Sequence, residues 1–177
     1  APIKGLYELG VEVEENSELD LLVSYKAHAG DSRIEAVCAD MAEELGVTGN
    51  QYPELLPRMA QFELTLLDWA ESHRGARKYV AFADKCWPAF PEQFGFEPCY
   101  VNSRLAARGI PVACEVDIYG ALSEYIGACV TGDAVTLLDI NNSVPRSLFD
   151  EDIAGKFPYV LQDTFMGFHC GSTPACK

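Results

Sequence analysis

PVACEVDIYGA at Pro111–Ala121, followed by TLLDINN at Thr136–Asn142, is the stretch that decides how this chain is read. In each half an apolar run gives way to an acid and then to a polar turn: Val112–Cys114 leads into Glu115, and Val135–Leu138 leads into Asp139. Short apolar runs bounded by turn residues read as strands. In open parallel sheets ligands bind beyond the carboxyl ends of the strands, so acids placed there can converge on one cation or one substrate. Two such carboxylates repel unless a cation or a shared proton lies between them.

Outward from these segments, apolar runs recur near residues 80, 112, 137 and 161, in KYVAFAD, PVACEV, AVTLLDI and PYVLQDTFMGF. Helical or long segments separate them, long enough for crossovers and too long for tight hairpins. They therefore predict one largely parallel sheet. Earlier in the chain, Ser32 with Glu35 fits a capping box, and Ile34, Val37, Cys38, Met41 and Leu45 recur at helical spacing up to Gly46. Pro53 opens a longer helix, with Leu55, Met59, Phe62, Leu66 and Trp69 on one stripe and His73 and Arg74 at its basic end. A stripe of this kind covers a sheet or meets a partner helix. The expected fold is α/β, a Rossmann-like three-layer sandwich with a mostly parallel sheet flanked by helices. Residues 1–20, with strand-like alternation at Val11 and Val13, read as a lead-in segment from a preceding domain, and 21–177 as the α/β domain itself.

The composition narrows the class. With 177 residues, 49% of them apolar, the chain can fill a core. A net charge of −14, from 27 acids against 13 Lys and Arg, argues against nucleic acid and anionic membrane as partners and favours a small neutral, cationic or metal-bridged ligand. No apolar run is long enough to span a bilayer and no basic segment precedes an apolar one, so neither a transmembrane span nor a signal peptide is expected. Seven cysteines without a CxxC pair fit free thiols in a reducing cytoplasm.

Asp117 reads as the N-cap of a helix ending at Gly132. Glu115 and Asp139 are the candidate catalytic and metal-binding pair, and oxygen ligands with one imidazole suit Mn²⁺ or Mg²⁺ better than a thiolate-seeking metal. The imidazole is His169, after Phe165, Met166 and Phe168 and before the small residues of CGSTP; His28 and His73 stand in polar surroundings and read as solvated. Lys85, Cys86 and Trp87 end the first strand-like run. Lys85 and Trp87 are candidate ligand-lining residues at that strand end, although Trp87 equally serves to anchor the loop of Pro88 and Pro91. Cys86 has no histidine near it in sequence to make it a nucleophile, and a zinc site from His169, Cys170 and Cys176 has irregular spacing.

KCWPAFPEQFG at Lys85–Gly95, CEVDIYGAL at Cys114–Leu122, LLDINN at Leu137–Asn142 and FHCGS at Phe168–Ser172 together resemble the L-fucose isomerase and L-arabinose isomerase superfamily, and most its L-fucose isomerase-like branch. The likeness runs from about Tyr79 to Lys177. It implies an aldose–ketose isomerase in which Glu115 and Asp139 bind a divalent metal, usually manganese, and move a proton between substrate carbons. His169 corresponds to a ligand on the arabinose isomerase side only. The family also has a nucleotide-binding domain before this region, a C-terminal domain after it, and hexameric assembly. The chain is accordingly expected to be a central-domain fragment. The rival readings are a non-catalytic sugar-binding or regulatory module of the same fold and a structural assembly domain.

Overall fold

The computed structural model describes residues 2–47, 52–142 and 144–169. The helices are α1 (Pro2–Glu8), α2 (Glu18–Ala27), α3 (Ile34–Glu44), α4 (Leu55–His73), α5 (Ala89–Phe94), α6 (Cys99–Ala107), α7 (Ile118–Thr131) and α8 (Arg146–Asp152). Between them lie β1 (Phe82–Ala83), β2 (Val112–Ala113), β3 (Asp139–Asn141) and β4 (Met166–Phe168). The chain divides into two compact units, residues 1–73 with 88–96, and residues 74–87 with 97–177.

The first unit is helical and is built around α4. The middle of this helix, Phe62 to Leu66, is buried on every side, which is why its apolar residues exceed a single stripe. Phe62 meets Tyr25, Phe90, Phe94 and Phe96 edge to face, with ring centroids 5.2–6.4 Å apart. Pro57 is tolerated because it lies in the first turn, where backbone N–H groups have no helical acceptor. Ser17 caps α2 through a capping box with Asp20. The box expected at Ser32 does not form: Arg33 is the N-cap of α3, and Asp31 makes the turn by accepting the Arg33 N–H at 2.8 Å. Residues 2–8 are helical with Leu6 buried, and Val11 and Val13 are in no strand.

The second unit is mixed α/β with small sheets, which corrects the single parallel sheet expected from the sequence. β1 and β2 are parallel, Phe82 beside Val112 and Ala83 beside Ala113, as the first two runs predict. β3 pairs instead with β4, antiparallel, with Asp139 beside Phe168 and Asn141 beside Met166. The run near 161 becomes a 3₁₀ turn over Leu161–Asp163, and its strand begins only at Met166. The physical reason is exposure. All three residues of β3 are exposed, whereas strands of a central parallel sheet are covered on both faces. α6 and α7 pack on the β1–β2 pair. Asp117 caps α7, accepting from the Gly120 N–H at 2.8 Å, and Gly132 closes it at φ 69°. Among the described residues no helix is long and apolar enough to cross a membrane.

Candidate functional site

The parallel pairing of β1 and β2 aligns their carboxyl ends, and the polar side chains gather there. The Asp84 N–H donates to the Ala113 carbonyl at 2.9 Å, and the Val116 N–H returns to the Asp84 carbonyl at 2.8 Å. Between these bonds the chain leaves β2 through a tight turn closed by the Asp117 N–H on the Cys114 carbonyl, 3.0 Å. Its central residues, Glu115 and Val116, have φ of 57° and 59°. Positive φ at both central positions defines a type I′ turn, which normally takes Asn-Gly or Asp-Gly. A glutamate and a β-branched valine are strained there, at a cost of order 1–3 kcal/mol each, and persist because the flanking hydrogen bonds fix the backbone.

That strain aims Glu115 back across the strand ends. Its Oε1 accepts from the Cys86 thiol at 3.2 Å, and Cys86 Sγ lies 3.2 Å from Cys114 Sγ. A thiol has one hydrogen, so with Cys86 donating to Glu115 it is Cys114 that donates to Cys86. Burial, then the neighbouring thiol and carboxylate, push the Cys86 thiol well above its ordinary range and keep it protonated. Below the same edge the fully buried Asn102 donates Nδ2 to Asp84 Oδ2 at 2.7 Å and leaves its own Oδ1 without a partner. Lys85 is exposed, and Trp87 is 63% exposed and so available at the edge.

Asp139 opens β3 and is exposed, while His169 follows β4 and is half-buried. The β3–β4 register puts Asp139 across from Phe168, so His169 stands one residue beyond Asp139's partner. Among the described residues the ligand atoms of Glu115, Asp139 and His169 do not form a group within 4.8 Å of one another. Cys170 and Cys176 lie outside the described residues. Near β3, Glu124 of α7 is buried with Oε2 unpartnered. Burial raises its pKa, a hydrogen bond from the Leu137 N–H opposes this, and the Asp117 charge adds to the rise.

His28, Asp31 and Asp68 do gather within 4.8 Å, in the first unit. The Arg33 guanidinium already fills that position: Nη1 and Nη2 reach both oxygens of Asp68 at 3.0 and 2.6 Å, and Nη2 reaches Asp31 at 2.7 Å. His28 Nε2 meets Asp68 at 3.0 Å and Nδ1 meets the Ser24 carbonyl at 2.8 Å, so it is a structural histidine rather than a solvated one. His73 stacks on Trp69, centroids 4.7 Å apart, with Nδ1 2.9 Å from the Trp69 carbonyl, and it is exposed, as the solvated reading expects.

The sequence reading missed the thiol pair, the Asp84–Asn102 contact and Glu124. Cys86 and Cys114 each ended a strand-like run, and the signal available was that adjacent parallel strands bring such ends together.

With this geometry in hand, comparison with known proteins identifies a relationship. The chain is similar to sulfoquinovose isomerases. It is 31% identical over 174 residues to the sulfoquinovose isomerase of Clostridium sp. (strain MSTE9), a match covering 97% of this chain and 34% of that protein. The sulfoquinovose isomerases of Priestia megaterium and Alkalicoccus urumqiensis are 30% and 32% identical over 112 residues, 59% of this chain and 24% of each protein. The chain thus spans about a third of the length of the first relative and about a quarter of the others. These names support a sugar isomerase family and not specifically the L-fucose isomerase-like branch. No family model and no solved structure matches the chain.

Proposed function

We propose that this chain carries part of the active site of an aldose–ketose isomerase, centred on Glu115 at the carboxyl end of β2. The observation that carries the reading is the strained turn that holds this carboxylate beside Cys86 at a parallel strand end, in a chain similar to sugar isomerases. Strained non-glycine residues cluster at functional sites because the surrounding structure has to over-determine them. With Oε1 engaged by the thiol, Glu115 Oε2 is the oxygen that would take the proton from one substrate carbon. Asp139 would return a proton to the neighbouring carbon or its oxygen.

Two carboxylates and an imidazole are hard and borderline donors suited to Mn²⁺ or Mg²⁺, so Glu115, Asp139 and His169 are the residues of this chain that would hold such an ion, which requires their ligand atoms to draw closer together than they stand in this structure. When bound, it would lower the cost of negative charge on the substrate's O1 and O2. Three ligands at most leave such an ion open to water, so the remaining shell and the wall of the site come from elsewhere in the assembled protein. Lys85 and Trp87 are the side chains at this edge suited to a sugar, one as a cation for an anionic substituent and the other as an apolar platform. Sulfoquinovose, named in the relatives, is the first substrate to assay, with L-fucose and L-arabinose as the alternatives.

The test is aldose-to-ketose conversion with added Mn²⁺ by the full protein that contains this chain. Glu115→Gln and Asp139→Asn should each lower kcat by about 100-fold or more, the usual weight of a general acid or base. Unchanged rates in both variants would remove these acids from the chemistry. Binding of the sugar without turnover would instead identify a sugar-binding module.

A further inference from the structure

The thiols of Cys86 and Cys114 are a pair that isomerase chemistry does not require. They lie on neighbouring strand ends, 28 residues apart in sequence, with sulfurs 3.2 Å apart. The β1–β2 pairing brings the two strand ends together: Ala83 is the partner of Ala113, and Cys114 follows one residue and Cys86 three residues beyond that pair. Both are buried, yet the edge above them is open, since Lys85, Trp87, Glu115 and Val116 are all exposed. A small oxidant therefore needs only a local opening of that edge. Forming a disulfide requires the sulfurs to close to about 2.05 Å, a movement of roughly 1 Å and within the reach of side-chain rotation.

We propose that Cys86 and Cys114 form a reversible dithiol–disulfide pair, oxidised by a low-molecular-weight disulfide, and that oxidation withdraws the thiol hydrogen bond from Glu115. The electrons and atoms balance. Cys114, the thiol that does not donate to Glu115, gives up its proton and attacks the small disulfide as a thiolate, and the half released takes up that proton. Cys86 then displaces the other half as its own proton passes to the departing thiolate, so an S–S bond forms in the protein while the reagent's S–S bond is reduced and takes up both hydrogens. Cys86 then has no hydrogen to donate to Glu115 Oε1, and the carboxylate loses the contact that fixes its rotamer. The pairing itself does not depend on the isomerase reading.

The experiment equilibrates the protein with oxidised and reduced glutathione at a series of ratios, blocks free thiols by alkylation and maps the peptides by mass spectrometry. The expected product is a peptide pair joined through Cys86 and Cys114, lighter by two hydrogens than the reduced peptides and regenerated by dithiothreitol. Cys86→Ser and Cys114→Ser should each abolish it; the serine hydroxyl is close in size to the thiol and preserves the packing. Recovery of both residues as free thiols at ratios that place glutathione on the exposed Cys129 would overturn the proposal. So would their pairing with other cysteines. For the second part, the Cys86 S–H infrared band should move to the position of a weaker hydrogen bond in Glu115→Ala and vanish on oxidation. An unmoved band in Glu115→Ala would refute the link to Glu115.

Discussion

The first unit buries a five-ring cluster around Phe62, while the second presents strands of two or three residues and leaves Ile140, Phe165 and Phe168 more than half exposed. The strained backbone, the thiol pair and the candidate acids all lie in the second unit. Close packing and chemical readiness are thus separated along this sequence. A well-packed aromatic core fixes side chains by contact on all sides, whereas an open strand edge leaves polar groups free to meet a ligand. Even the compact cluster of acids and imidazole found among the described residues of the first unit is closed by its own arginine.

Three measurements bear on this contrast, in decreasing order of effect. Phe62→Ala removes the hub of the aromatic cluster and should destabilise by about 3–5 kcal/mol in urea unfolding, the usual cost of emptying such a site. A loss under about 1 kcal/mol would mean that the first unit is not organised around this ring. Val116→Gly should have the opposite sign. Val116 is 51% exposed, so little burial is lost, and relief of its φ of 59° should stabilise by about 1 kcal/mol after glycine's entropic cost is subtracted. Destabilisation would show that the turn is not strained. The same variant should also loosen Glu115, so higher thermal stability with weaker Mn²⁺ binding is the paired outcome expected of a site held under strain.

The smallest effect concerns the Arg33 network, which is mostly exposed and therefore screened. Hydrogen bonds from Arg33 hold Asp31 and Asp68 at about 2, below the ordinary 3.8. Their contribution is complete above the unfolded value and is lost as pH falls through about 2. Burial alone would lower the His28 pKa, but its bonds to the Ser24 carbonyl and Asp68 and the nearby carboxylates outweigh burial and raise it above 6.5. Its contribution is present below 6.5 and lost as pH rises through the raised folded value. Thermal midpoints should therefore be highest between these limits, and Asp68→Asn should flatten both edges of the profile.

What the sequence made legible was local. The Asp117 cap, the Gly132 stop and the parallel pairing of the first two runs follow from residue types at fixed spacing. What it hid was non-local or strained. The apolar run Val135–Leu138 says nothing of its partner, and Asp139–Asn141 finds one 25 residues later in the opposite direction. A polar turn is legible beyond the apolar run, but without Asn or Gly nothing signals that Glu115 and Val116 adopt positive φ in it. Asp68, which turns His28 from a solvated residue into a paired one, is 40 positions away on another helix. Ser32 is not the cap because the helix begins one residue later, with Arg33 as N-cap and Asp31 accepting the Arg33 N–H.

The chain has two tryptophans, and each unit has one. Trp69 stacks on the His73 imidazole at an interplanar angle of 13°, while Trp87 is 63% exposed beside Cys86. An imidazole stacked on an indole quenches its fluorescence, so His73→Ala should brighten the Trp69 emission. Trp87, open to water, should emit further to the red and be reached first by a dissolved collisional quencher such as iodide. Its intensity should also respond to sugar docking at the strand ends. The two regions therefore carry separate optical reporters, and a single emission spectrum, resolved by quenching, can follow the helical unit and the candidate site at once.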